Sequence, residues 1–260
     1  MQATFHATRE QRIKFDVLLG NHTGKPQSFA VIAIVDYSVV ATAAGSQARE
    51  LGRVELDHSE TERLHFDLGT LDRGAHDLVL LAFDADHCTD SSCSADDSFP
   101  LVAHRTSVLI DSLVAYPSPP QTALDQVRVE AQLPAIVLSR RPKIYDPEAG
   151  QTLDLANAET SRTVFAHLSN SRDGATSYAL ILFEGAKVAQ VLSDASIASV
   201  FFTLKGWHAG SVRFDLSDSA GESRLWGLLV ENPYVTLEQP HGTYREIATI
   251  VSASRLTGSL

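Results

Sequence analysis

Five aspartates, Asp84, Asp86, Asp90, Asp96 and Asp97, fall in one short stretch that holds no Lys or Arg. Carboxylates this close repel one another unless solvated or bridged by a cation, and hard oxygen ligands suit Ca²⁺. The spacing of Asp84, Asp86 and Asp90 matches positions one, three and seven of an EF-hand loop. However, Thr89 stands where that loop needs Gly, and Ala95 where it needs a bidentate Glu. The stretch is therefore no EF-hand; it reads either as a calcium site in a sandwich loop or as a solvated acidic loop. The two cysteines of the chain, Cys88 and Cys93, lie inside it and flank Thr89-Asp90-Ser91-Ser92. They are close enough to close a small disulfide ring, a bond that persists in oxidising compartments, or to stand as a pair of free thiols. With no further Cys, a thiolate zinc site has too few ligands.

Aromatic residues offer a second kind of chemistry. Trp207 and Trp226, with Tyr178, Tyr234 and Tyr244, would form a sugar-stacking platform if exposed. Trp226 sits in Leu225-Trp226-Gly227-Leu228-Leu229-Val230, which has the composition of a buried strand. Trp207 lies between Gly206 and His208 in an expected turn, and is the better surface candidate. Asn21-His22-Thr23 matches the N-glycosylation sequon. The ten histidines are scattered, without a His-Glu-x-x-His arrangement, and there is no Gly-x-Ser-x-Gly elbow, phosphate loop or dinucleotide fingerprint. No catalytic residue is assigned. A hydrolase assembled from distant loops would leave no such motif, and is the least favoured reading.

The elements that must position these residues read as strands. Short alternating or continuous apolar runs recur between turn signals, with few stretches of helical period. In the first half, strands are predicted near 5–8, 13–19, 29–40, 47–56, 62–66, 77–84 and 105–111. In the second half they fall near 126–132, 136–138, 152–155, 163–168, 178–183, 187–191, 200–204, 211–216, 225–230 and 244–251, with a short helix over 193–198. Tyr116-Pro117-Ser118-Pro119-Pro120-Gln121 carries three prolines, which suits a stiff linker rather than a central strand. The expectation is an all-β chain of two tandem immunoglobulin-like or fibronectin-like sandwiches, 1–115 and 122–260, joined by the 116–121 linker. The last strand would pair within its own domain or add to the sheet edge of a neighbouring subunit.

A pattern repeats in the two halves. Lys14 to Leu19 runs into Gly20-Asn21-His22-Thr23-Gly24 and then Phe29 to Asp36. Thr163 to Leu168 runs into Ser169-Asn170-Ser171-Arg172-Asp173-Gly174 and then Tyr178 to Glu184. Asn and Gly tolerate the positive φ of tight turns, so each half offers strand, Asn/Gly turn and strand. Leu71-Asp72-Arg73-Gly74 before Leu80 to Asp84 invites a match with Leu204-Lys205-Gly206 before Ser211 to Asp215. This order of strand, Asn-containing turn, acid-ended strand, Leu-x-x-Gly and Phe-Asp strand resembles bacterial CARDB-type and related immunoglobulin-like cell-surface modules. It does so over most of 13–84 and loosely over 163–215. The resemblance implies a binding or spacer role in surface or secreted proteins and brings no catalytic residues with it.

Charge narrows the partners. A formal net charge of -11 opposes nucleic-acid binding, which needs clustered Lys and Arg. The one dense basic stretch, Arg140-Arg141-Pro142-Lys143, reads as a loop. No apolar run is long enough for a transmembrane helix, and the first residues lack the features of a secretory signal. The expected role is a non-catalytic binding or structural module, extracellular, at the cell surface or periplasmic, with a cytoplasmic setting as the alternative. Its expected partners are a protein or a second copy of itself, or a polysaccharide if it is a carbohydrate-binding accessory module.

Overall fold

A computed structural model describes residues 4–42, 52–84, 102–111, 117–129, 136–139, 145–146, 151–152, 163–184, 187–188, 199–215, 225–235 and 248–251. Among these residues every regular element is a strand. The chain divides into two compact units. One comprises Met1–Asp90, Phe99–Ser118 and Tyr234–Ala248; the other comprises Ser91–Ser98, Pro119–Pro233 and Thr249–Leu260. The fold is all-β and immunoglobulin-like, built of several sheets.

The first unit contains β1 (Thr4–Ala7), β2 (Lys14–Gly20), β3 (Gln27–Val35), β4 (Ser38–Thr42), β5 (Gly52–Leu56), β6 (Thr61–Asp67), β7 (Gly74–Asp84) and β8 (Val102–Ile110). One sheet runs β1-β8-β7-β3-β4 with β5 also on β3; the other pairs β2 with β6. Alternation on β6 turns Leu64 and Phe66 inward, where they meet Leu19 of β2 and Val31, Ala33, Val35, Leu78 and Val108 of the larger sheet. Phe15 and Phe66, directly opposed across β2 and β6, stack with centroids 5.1 Å apart. The outer face of this pair is polar, with Asp16 and His65 bonded at 2.6 Å and Asp67 bridged by Arg12 and Lys14.

The apolar run 29–40, expected as one strand, is a hairpin. Val35 pairs with Ser38, leaving Asp36 (φ 49°) and Tyr37 (φ 64°) as a two-residue turn with both centres left-handed. Asp36 tolerates that conformation and tertiary contacts hold Tyr37 in it, which is why no Gly marks the turn. Both faces of β3 and β7 are buried, Ile32, Ile34, Val79 and Leu81 being as covered as the residues facing β2 and β6. Strands buried on both sides read as continuous rather than alternating apolar runs.

The second unit has β9 (Val127–Arg128), β10 (Ile136–Ser139), β11 (Tyr145–Asp146), β12 (Gln151–Thr152), β13 (Thr163–Asn170), β14 (Thr176–Glu184), β15 (Lys187–Val188), β16 (Ser199–Leu204), β17 (His208–Asp215), β18 (Leu225–Glu231) and β19 (Ala248–Val251). One sheet runs β10-β13-β17-β9, another β15-β14-β18-β19 with β16 also on β14, and β11 pairs with β12. Ile136 packs onto Gly227, where an added Cβ would lie 3.2 Å from its Cδ1, so the two larger sheets close over a shared core. Tyr178 and Phe202 stack within that core at 5.6 Å. The expected helix over 193–198 lies outside the described residues.

Pairing corrects one half of the sequence repeat. β17 pairs with β13 as β6 pairs with β2, while β18 pairs with β14 as β7 pairs with β3. The strand that corresponds to 74–84 is therefore 225–231, not 211–215. The turn Lys205-Gly206-Trp207 after β16 corresponds to Asp57-His58-Ser59-Glu60 after β5.

Candidate functional site

The two Asn-containing turns are built alike. Asn21 is fully buried; its Nδ2 donates to the carbonyls of Lys25 (2.8 Å) and Leu56 (2.9 Å), and its Oδ1 accepts from the Thr23 amide (3.0 Å). In the second unit Asn170, equally buried, donates to Gly174 (2.7 Å) and Leu204 (3.3 Å) and accepts from the Arg172 amide (3.1 Å). Each side chain closes its own turn and ties it to the end of the strand that leads into the neighbouring turn. The sequon asparagine Asn21 thus pins its turn, its amide nitrogen bonded to the carbonyls of Lys25 and Leu56.

At the neighbouring turns the two units diverge. Ser59 (φ 67°) holds the left-handed position in the first unit, and Trp207 (φ 56°) holds it in the second. A bulky residue is an outlier in that region, at about 1–3 kcal/mol of local strain. Surroundings over-determine the Trp. Gly206 lies against the Asn170 turn so closely that a Cβ there would sit 2.6 Å from the Arg172 carbonyl oxygen. The Trp207 carbonyl accepts from the Val129 amide at 2.8 Å, and the indole Nε1 donates to Asp173 Oδ1 at 2.9 Å. His208 Nδ1 donates to the Gly206 carbonyl at 2.7 Å. Arg172 makes a two-point bridge to Glu231, at 2.8 and 3.0 Å, which fixes the same turn from its other side. The indole is still 36% exposed, and Val127 on the adjoining edge strand β9 is 41% exposed. The turn thus holds an aromatic ring at the surface, with the Asp173 carboxylate bonded to its edge.

Other expected site residues separate from this one. Tyr178 and Tyr234 are buried and belong to no surface platform, because both rings are needed in packed interiors. The Trp226 side chain, Tyr244 and the basic stretch 140–143 lie outside what is described. So do Cys88, Cys93, Asp86, Asp90, Asp96, Asp97 and the Asp84 side chain. Among the described residues no group of three or more His, Cys, Asp or Glu is placed to hold a metal ion. No helix there is long and apolar enough to cross a membrane. A Ser–His contact does exist: Ser211 Oγ and His167 Nδ1 lie 2.7 Å apart across β13 and β17. His167 is 1% exposed and Ser211 partly exposed, both within the strand ladder.

A second constellation, in the first unit, is one that sequence pattern does not reveal. Asp77 and Arg105 form a buried ion pair at 2.7 Å, and the Tyr37 hydroxyl donates to Asp77 Oδ2 at 2.5 Å. Burial, with the Asp77 carboxylate beside it, pushes the Tyr37 phenol far above its usual range. Near it, His76 Nδ1 lies 2.6 Å from Asp36 Oδ2 and Nε2 lies 2.8 Å from the Asp72 carbonyl oxygen. The hydrogen bond to Asp36 raises the His76 pKa above its ordinary value, against an opposing effect of burial.

No protein-family model and no curated protein matches the chain. Among solved structures, it is similar to latent PorU from Porphyromonas gingivalis at 12% identity and TM-score 0.26, covering 98% of this chain and 19% of that one. It is similar to the class 5 fimbriae chaperone CfaA at 7% identity and TM-score 0.28, covering 98% and 97%. A third similarity is to the CsuC-CsuE chaperone and tip-adhesin complex of Acinetobacter baumannii, at 11% identity and TM-score 0.28, covering 88% and 94%. At these TM-scores the similarities carry no argument about function, and the fold stands on the strand pairing itself. The immunoglobulin-like part of the expected resemblance is present in that pairing, while no family model supports the CARDB-type part.

Proposed function

We propose that this protein is a non-catalytic binding module that works outside the cytosol, with the Trp207 turn as its ligand-contacting surface and a carbohydrate as its ligand. The observation that supports the reading is the left-handed Trp207. Ser59 shows that the equivalent turn closes with a small polar residue, so the fold does not require a ring there, yet a strained and exposed indole is held in place by Gly206, Asp173 and Val129. Strained residues of this kind cluster at ligand clamps. An indole face stacks on the C–H face of a pyranose while the neighbouring Asp173 carboxylate meets its hydroxyls. The acidic stretch 84–97 enters the same reading as a calcium-binding loop closed by Cys88 and Cys93, and the repeated Asn turn as that of a CARDB-type surface module.

Retention on insoluble polysaccharides, with cellulose, chitin and peptidoglycan as probes, tests the reading. Trp207→Ala and Trp207→Asn are expected to abolish retention of the wild type while leaving the circular dichroism spectrum unchanged. Equal retention of wild type and variants, or none by the wild type on any probe, would overturn the carbohydrate assignment.

A further inference from the structure

The outer edge of β2 presents a row of backbone groups. The Ile13 amide donates to the Gly69 carbonyl (2.7 Å), its carbonyl accepts from the Leu68 amide (2.9 Å), and the Asn21 amide donates to the Glu60 carbonyl (3.0 Å). Between these ends the ladder of β2 and β6 runs from Lys14 opposite Asp67 to Gly20 opposite Thr61 without a register shift. Antiparallel pairing alternates, so the odd-numbered residues of β2 direct their main-chain groups to β6, while Lys14, Asp16, Leu18 and Gly20 turn theirs away from it. Among the described residues no strand pairs with that edge.

The second unit fills the same position. β13, the counterpart of β2, has β17 on one side and β10 on the other, with Ile136 to Ser139 opposite Leu168 to Phe165. Counted back from the equivalent asparagines Asn21 and Asn170, the stretch that β10 covers corresponds to Asp16 to Leu19. Leu18 is 66% exposed and Val17 partly exposed, whereas His167 and Ala166 in the same places are buried. This sheet position therefore accepts a further strand. Ile136 of β10 packs inward against Gly227, which pairs with Leu182. In the first unit Leu80 stands there, paired with Ala33 and packed onto its own core. A strand added to β2 thus needs to supply backbone groups and an outer face, and no inward side chain. A second β2 meets that requirement, because its inner-face residues Phe15, Val17 and Leu19 are held by the core of their own unit.

Side-chain charge selects the register. Directly opposed unlike charges stabilise a strand pair and like charges destabilise it. Two antiparallel copies of β2 centred on Asp16 oppose two carboxylates, and centred on Lys14 they oppose two ammonium groups. Centring on Val17 or Leu18 leaves both charges without an opposite charge across the seam. Centring on Phe15 sets Lys14 of each copy opposite Asp16 of the other, with Arg12 opposite Leu18. Lys14 and Asp16 already face Asp67 and His65 within their own copy, so the pairing extends a surface row of charges. We propose that the outer edge of β2 is a self-association edge: two copies join antiparallel, β2 to β2, about a two-fold axis at Phe15, with Lys14 of each opposite Asp16 of the other. The same surface is used on both copies, so the interface closes at a dimer and yields a continuous sheet β6-β2-β2-β6.

The test uses the full-length chain under reducing conditions, so that no intermolecular disulfide contributes, in sedimentation equilibrium over a concentration series at low salt. A reversible dimer is expected. Asp16→Lys and Lys14→Asp each set like charges opposite one another, and each should weaken self-association by about tenfold or more, with the circular dichroism spectrum unchanged. Mixing the two variants restores both unlike pairs, so the mixture should dimerise as the wild type does, as a heterodimer in native mass spectrometry. Leu18→Pro removes an outward amide and no bond to β6, and should abolish the dimer. A wild type that stays monomeric at the highest concentration, leaving the edge to a strand of another protein, would overturn the proposal. So would a dimer that forms equally well in both single variants, or a mixture of the two that stays monomeric.

Discussion

Asn21 and Asn170 are structurally equivalent: each donates its amide nitrogen to the carbonyl four residues on and to the last carbonyl, Leu56 or Leu204, of a strand paired with the one that follows its turn. The same turn solution therefore appears twice, and it rests on a donor that only an amide side chain supplies here.

Replacing Asn21 or Asn170 by Ala takes that donor from a carbonyl in a buried bond, Leu56 or Leu204, and should destabilise the protein by about 1–3 kcal/mol. Asp keeps the turn-forming oxygen but points a second oxygen at those carbonyls. Asn170→Asp is therefore expected to be worse than Asn170→Ala at neutral pH, and urea denaturation of the two variants checks the order. Equal stability of the two would show that the Nδ2 bonds contribute little.

Gly206→Ala should cost about 1–3 kcal/mol, since its Cβ meets backbone atoms rather than a side chain that can turn away. Trp207→Asn should do the opposite. Asn accepts the left-handed conformation, so thermal stability is expected to hold or rise slightly while ligand retention is lost. A large loss of melting temperature in Trp207→Asn would mean that the indole is a packing element.

Asp77→Asn and Arg105→Met each leave a buried charge without its counter-charge, and each should destabilise by about 3–5 kcal/mol. Tyr37→Phe removes one donor to Asp77 and should cost less, about 1–3 kcal/mol. Chemical denaturation of the three variants gives the comparison.

The His76 ring nitrogens face a carboxylate and a carbonyl, two acceptors, so the doubly protonated ring satisfies both. Its folded pKa lies above the unfolded value of about 6.5. The contribution is then fully present below that unfolded value and fades as pH rises through the folded pKa. His76→Gln should accordingly lose about 1–2 kcal/mol at pH 5.5 and less at pH 9. A destabilisation that is the same at both pH values would assign His76 a packing role only.

Much of this architecture is legible in the sequence. Period-two runs such as Arg63 to Leu68 and the Asn-containing turns mark strands and hairpins because strand geometry alternates faces and tight turns select Asn and Gly. The Asp36–Tyr37 turn escapes that logic. Its left-handed Tyr is held by Asp77, forty residues away, so no local signal interrupts the apolar run 29–40. Matching the second repeat by its Leu-x-x-Gly motif fails for a related reason, since strand equivalence is fixed by pairing partners and not by turn composition.

Trp207 shows the same division at the site. Its neighbours Gly206 and His208 mark a turn and make it a surface candidate, but its left-handed backbone and the Asp173 contact follow from the fit of one turn against another. The sequence by itself determined the β class, the Asn-containing turns and the exposed aromatic, because these depend on residues a few positions apart. Only the tertiary structure decided that Asn21 is buried, that Tyr178 and Tyr234 pack inside, and that Asp77 and Arg105 meet the main chain of Tyr234 and Val235. Those depend on contacts between residues distant in the chain, whose energy comes from desolvation and close packing once the sheets have closed.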